Sequence, residues 1–192
     1  MASLFLTCLS AANADFEQTN LVSDGFIAAE HFDPNLVNAW GLSLSPTGPF
    51  WVANNGTGTS TLYDGEGNAF PPGNPLIVDV LPTDDSSPTG TVFNSTEGFR
   101  IASMGIEGPS RFLFVSEEGR ITGWNPDVDP MHALVAVDNS SRMAVYKGLA
   151  LARNGRGTYI YATNFRDGVV EVYDSRFRWV TNFTDPNMES GY

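Results

Sequence analysis

The feature that most constrains this chain is an internal repeat with a period of about 50 residues, the spacing of propellers and repeat arrays. It is plainest over 146–185, YKGLALARNGRGTYIYATNFRDGVVEVYDSRFRWVTNFTD. Gly148–Ala152 is a short apolar run, Asn154-Gly155-Arg156-Gly157 a turn, and Thr158–Thr163 a stretch of β-branched and aromatic residues. Arg166-Asp167-Gly168 turns the chain again, Val169–Asp174 alternates, and Trp179–Thr184 supplies a fourth strand. Period-two alternation punctuated by Gly, Asn and Asp is the pattern of an antiparallel meander. A four-stranded meander is the unit of a β-propeller blade.

Two earlier copies precede it. The first runs through Gly41–Ser45, Phe50–Asn54, Thr59–Asp64 and Leu76–Leu81. The second runs through Gly90–Asn94, Arg111–Ser116, Arg120–Asn125 and Ala133–Asp138, with an insertion through Gly108. Laid over one another, the copies place Trp51-Val52-Ala53-Asn54 beside Phe114-Val115-Ser116-Glu117 and Tyr161-Ala162-Thr163-Asn164. The expected fold is all-β, a β-propeller with three four-stranded antiparallel blades at about 38–82, 88–140 and 145–185. A lone blade leaves its apolar faces bare, and ring closure covers them. Three blades are half of a six-bladed ring. The expectation is therefore that 15–192 is the N-terminal half of a propeller, completed by the missing second half of a longer polypeptide or by a second copy of this chain. Asp185-Pro186-Asn187 mirrors the Asp33-Pro34-Asn35 turn before the first copy and reads as the start of a linker to another blade.

Charge narrows the function classes. With 22 acidic against 10 basic side chains the net charge is -12, which argues against unaided binding to nucleic acid. Lys147 is the only lysine and the arginines are dispersed, so there is no basic membrane-binding patch. Residues 1–14, MASLFLTCLSAANA, hold a compact apolar segment followed by Ala12-Asn13-Ala14, an A-x-A cleavage pattern. This reads as a signal peptide without a basic n-region, and its cleavage would remove Cys8, the only cysteine. The expected location is secreted, or periplasmic at the cell envelope. No later segment approaches the roughly 20 apolar residues of a membrane-crossing helix.

In a propeller the inner strand of each blade lines the axis, and the residues leading into it share a rim with the loop after the second strand. Those positions are Asn38, Trp40, Asn54, Asn55, Glu117, Glu118, Asn164 and Asp167. Amide and carboxylate oxygens converging on one mouth suit a hard cation such as Ca²⁺, with Asn54, Glu117 and Asn164 as the candidate ligands. The same residue types are what tight turns select. Asp64-Gly65-Glu66-Gly67-Asn68 begins like an EF-hand loop but has Ala69 at the sixth position and Pro75 at the twelfth, so it is a turn. His31 and His132 have no zinc-like spacing, no serine stands in a nucleophile elbow, and glycosylation sequons begin at Asn55, Asn94, Asn139 and Asn182. Trp40, Trp51, Tyr63, Trp124, Tyr161, Tyr173 and Trp179 suit packing between blades, with a carbohydrate-binding rim as the other use of such rings.

The phrases TNLVSDG (19–25), DPNLVNAWGLSLSPTGPFWVANNGTGTSTLYDGEG (33–67), GWNPDVDP (123–130), AVDNSS (136–141) and VYKGLALARNG (145–155) resemble a family of secreted bacterial propeller proteins without an assigned reaction. Some of its members end in a PEP-type C-terminal sorting signal. The resemblance implies a six-bladed propeller about twice this length. The chain is more distantly similar to NHL-repeat proteins and to gluconolactonase-type propellers, which hold a divalent metal at the ring centre. Those enzymes place a glutamate ahead of the first inner strand, where this chain has Asn38-Ala39-Trp40. Together these readings give an exported binding or interaction scaffold at the cell envelope, with an envelope or carbohydrate ligand. The alternative is a metal-dependent hydrolase or lyase of lactonase type.

Overall fold

The computed structural model describes residues 17–81 and 86–187; the signal peptide expected at 1–14 lies outside the described residues. The strands, in chain order, are β1 (Val22–Ser23), β2 (His31–Phe32), β3 (Ala39–Leu44), β4 (Phe50–Asn54), β5 (Thr59–Tyr63), β6 (Ile77–Asp79), β7 (Pro88–Phe93), β8 (Arg100–Ser103), β9 (Ile106–Pro109), β10 (Phe112–Ser116), β11 (Arg120–Asn125), β12 (Asp129–Asp138), β13 (Tyr146–Asn154), β14 (Gly157–Asn164), β15 (Val169–Asp174) and β16 (Trp179–Phe183). They form three antiparallel four-stranded units, β3-β4-β5-β6, β7-β10-β11-β12 and β13-β14-β15-β16.

The first two units are not separate sheets. The short β6 pairs in parallel with β12 through Asp79 and His132, which joins them into one eight-stranded sheet. His132 reinforces that seam: its ring lies 3.0 Å from Asp129 and 3.7 Å from Asp79. Other boundaries differ from the sequence reading. The last strand of the second unit begins at Asp129 rather than Ala133, because the Asp129 carboxylate accepts the Met131 and His132 amides and pulls that turn into the strand. The insertion before Gly108 is the β8–β9 hairpin. Its turn puts Met104 at φ 49° and Gly105 at φ 84°, the left-handed pair that a two-residue hairpin turn requires.

Alternation along each strand makes two faces, and the units stack face to face. Between the first and second, Trp51 stacks on Phe112 with centroids 4.1 Å apart and tilts against Trp124 at 4.6 Å, with Ala53, Leu62, Val78 and Phe114 buried around them. Between the second and third, Leu113, Val115 and Ile121 meet Tyr146, Ile160, Ala162 and Tyr173. The innermost strands β3, β7 and β13 lie side by side. Gly41 and Gly90 make that approach possible, since a Cβ on Gly41 would fall 2.9 Å from the Thr91 nitrogen and one on Gly90 2.9 Å from the Gly148 carbonyl carbon. The result is a propeller-like fan of sheets around a common axis.

Candidate functional site

The loop after the second strand of each unit is tied to the start of its inner strand by one repeated backbone bond. Asn55 N–H donates to Asn38 C=O, Glu117 N–H to Ser87 C=O and Phe165 N–H to Val145 C=O. These bonds fix which residues correspond. Ser116, rather than Glu117, occupies the place of Asn54 and Asn164, as its pairing with Pro88 confirms against Ala39↔Asn54 and Tyr146↔Asn164. The overlay made from the sequence is therefore one residue out of register in the second copy, and Asn54, Glu117 and Asn164 are not equivalent.

Their side chains are also engaged differently. Asn54 is fully buried, and its amide donates to Thr59 and Thr61 at 3.3 and 2.9 Å, while its Oδ1 has no hydrogen-bond partner among the described residues. Asn164 donates to Glu171 at 3.0 Å and to Asp167 at 2.9 Å. Glu117 pairs with Lys147. Among the described residues no group of three or more His, Cys, Asp or Glu side chains stands as a metal site.

What the structure does bring together is an axial cluster drawn from all three units. The Lys147 ammonium, from β13, lies 4.5 Å from the centroid of the Trp40 ring, from β3, and pairs with Glu117 from the loop after β10. Trp40 and Lys147 occupy the same inner-strand place, and the β7 residue between them is Thr89, whose buried hydroxyl donates to the Tyr146 and Val115 carbonyls. Trp40 is 49% exposed. Beside it Asn38, at φ 50°, donates its amide to Asn55 Oδ1 at 2.9 Å. Glu118 follows Glu117 and has one oxygen buried without a partner among the described residues. Sequence reasoning named Trp40 and Glu117 but not Lys147, although its being the only lysine was the available signal.

Behind the mouth lies a second constellation that the sequence did not disclose. Glu171 is 2% exposed and accepts hydrogen bonds from Tyr173 at 2.5 Å, Tyr146 at 2.7 Å and Asn164 at 3.0 Å, with Arg142 at 3.6 Å. Asn139 donates to both tyrosine hydroxyls, at 2.7 and 2.8 Å. Burial by itself would raise the Glu171 carboxyl, but the bonds from Tyr173, Asn164 and Tyr146, with the Arg142 charge, outweigh it and hold the group below its ordinary value. Burial, with the Glu171 hydrogen bond, pushes the Tyr173 phenol up to about 12, and burial with its Tyr173 and Glu171 partners raises Tyr146 further. The Glu171, Tyr146 and Tyr173 side chains are buried, Arg142 reaches them from the exposed side, and through Asn139 the network ties the second unit to the third. Of the four sequons, Asn94 and Asn139 have their amides committed to internal bonds, and Asn182 is exposed on β16.

No family model matches the chain. It is 31% identical over 165 residues to one uncharacterized protein of Acanthamoeba polyphaga mimivirus, covering 85% of this chain and 40% of that protein. It is 30% identical over 168 residues to a second from the same virus, covering 86% of this chain and 43% of that one. The chain thus spans about two fifths of the length of these curated relatives. The resemblance to secreted bacterial proteins is corrected on this point, for these relatives are viral. Among solved structures, virginiamycin B lyase from Staphylococcus aureus superposes with a TM-score of 0.52 at 12% identity, covering 78% of this chain and 42% of that one. Likeness at that level shows the propeller fold alone.

Proposed function

We propose that these residues are three four-stranded blades of a six-bladed propeller, and that the protein is an exported binding or interaction scaffold at the cell envelope with its ligand site at the axial mouth. The observation that carries the reading is the half-exposed Trp40 ring held by Lys147, beside the Asn38–Asn55 amide pair. A half-exposed indole next to amide donors and acceptors suits the apolar face and hydroxyls of a sugar ring, so an envelope carbohydrate is the ligand class. Titration with envelope polysaccharides and their oligosaccharides, followed by calorimetry, tests it. Trp40→Ala is expected to lower the affinity about tenfold or more, since the stacked face is lost. Binding that survives Trp40→Ala unchanged sinks the proposal.

The other reading is a lactone-type hydrolase or lyase with a central divalent cation. It requires Asn54, Glu117 and Asn164 to act through one ion, and the pairing of Glu117 with Lys147 counts against it. The expected outcome is that millimolar calcium leaves Tm unchanged; a calcium-dependent rise in Tm, lost in Asn54→Ala, would favour the enzyme instead.

A further inference from the structure

Gly41, Gly90 and Gly148 occupy one place on three successive inner strands. The first two are sites of close approach: a Cβ on Gly41 would fall on the Thr89 carbonyl oxygen, and one on Gly90 on the Leu149 amide nitrogen. Each glycine therefore admits the backbone of the next inner strand where no side chain could stand. Gly148 breaks the series. The nearest atoms to a Cβ there are Thr163 Oγ1 at 3.1 Å and Cγ2 at 3.9 Å, both from its own unit.

The face around Gly148 is open and apolar. Phe165 is 62% and Phe183 52% exposed, and with Lys147, Asn164 and Val170 they line a groove of about 260 Å³. The corresponding faces of the first two units are covered, with Trp51, Ala53, Leu113 and Val115 all buried. We propose that Gly148 and this groove receive the inner strand of a fourth blade carried on a continuation of the same polypeptide. The inference rests on the propeller reading and extends an interface already made twice in this chain. The curated relatives, of which this chain covers 40% and 43%, have room for such a blade.

The test compares two alanine variants in two lengths of chain. In the 192-residue chain, Gly90→Ala is expected to lower the folding equilibrium about tenfold or more, because backbone must move, whereas Gly148→Ala changes it less than about twofold. In the natural polypeptide, captured from its source cells with an antibody to 146–164, the intact mass is expected to exceed 20.8 kDa by at least a blade. Once its sequence is read and it is expressed at that length, Gly148→Ala should be as damaging as Gly90→Ala. A natural mass of 20.8 kDa or less overturns the proposal, as does a natural-length Gly148→Ala variant as stable as the parent. A 192-residue chain that light scattering shows to be a dimer, and that Gly148→Ala makes monomeric, assigns the face to a second copy and overturns it too. None of these readouts depends on the mouth ligand, so they stand or fall separately from the Trp40→Ala result.

Discussion

Glu171 shows what one residue can hold together here. A carboxylate that is 2% exposed persists only because three donors and a nearby guanidinium replace its water. Removing it with Glu171→Ala leaves the Tyr146, Tyr173 and Asn164 donors buried and unmatched. The expected cost is about 3 kcal/mol, read from urea unfolding. The pH dependence follows from the directions of the shifts. A carboxyl depressed in the fold stabilises above its ordinary value of 4.5, and that contribution is lost as pH falls through the folded value. Stability should therefore drop below about pH 4.5, less steeply in Glu171→Gln. Tyr173 behaves oppositely. Its phenol is raised from 10.0 to about 12, so its contribution is complete below pH 10.0 and lost as pH rises toward 12. Tyr173→Phe should flatten the alkaline part of the unfolding curve, and an unchanged slope would show that Tyr173 does not carry it.

At the scale of elements, most strands were legible because alternation and turn residues mark them directly, as over Val169–Asp174 and Arg120–Asn125. What the sequence hid has identifiable causes. The β8–β9 hairpin turns on Met104-Gly105, without the Asn-Gly or Asp-Gly signature of such turns. The second copy slipped because Ser116, a polar residue still inside β10, looks like part of the apolar run, so Glu117 seemed to open the loop. Bulges between Ala39 and Gly41, Phe114 and Ser116, and Tyr146 and Gly148 add to this, since an extra residue in a strand leaves no mark in the alternation. The Lys147–Trp40–Glu117 cluster was half legible: two members lay at rim positions, but only folding puts β3 and β13 within reach of each other across β7. The interface between the first two units is the element-level claim most open to test. Trp51 is buried against Phe112, Phe114 and Trp124, so Trp51→Ala should cost about 3–5 kcal/mol. A guanidinium unfolding series would detect a loss of that size, and a cost below about 1 kcal/mol would mean the two units do not depend on this packing.

For the whole molecule the dominant quantity is charge. An excess of twelve negative charges on 192 residues repels itself when the chain is compact and less so when it is unfolded and expanded. Salt also weakens the surface pairs Arg100–Glu107 and Arg178–Asp174, but each such exposed pair contributes only about 0–1 kcal/mol. The two effects have opposite signs, and the acidic excess is the larger because it is summed over the whole surface. The seam between the first two units is exposed to the same repulsion, for Asp79 and Asp129 flank the His132 ring there. Screening shortens from about 30 Å at 0.01 M to about 8 Å at 0.15 M, so sodium chloride in that range removes most of the long-range repulsion while leaving buried contacts intact. Tm measured by calorimetry at pH 7 should therefore rise by a few degrees, on the order of ΔΔG 1 kcal/mol, between those two concentrations. A Tm that falls with salt would mean that local ion pairs, rather than the net charge, govern the stability of the three four-stranded units.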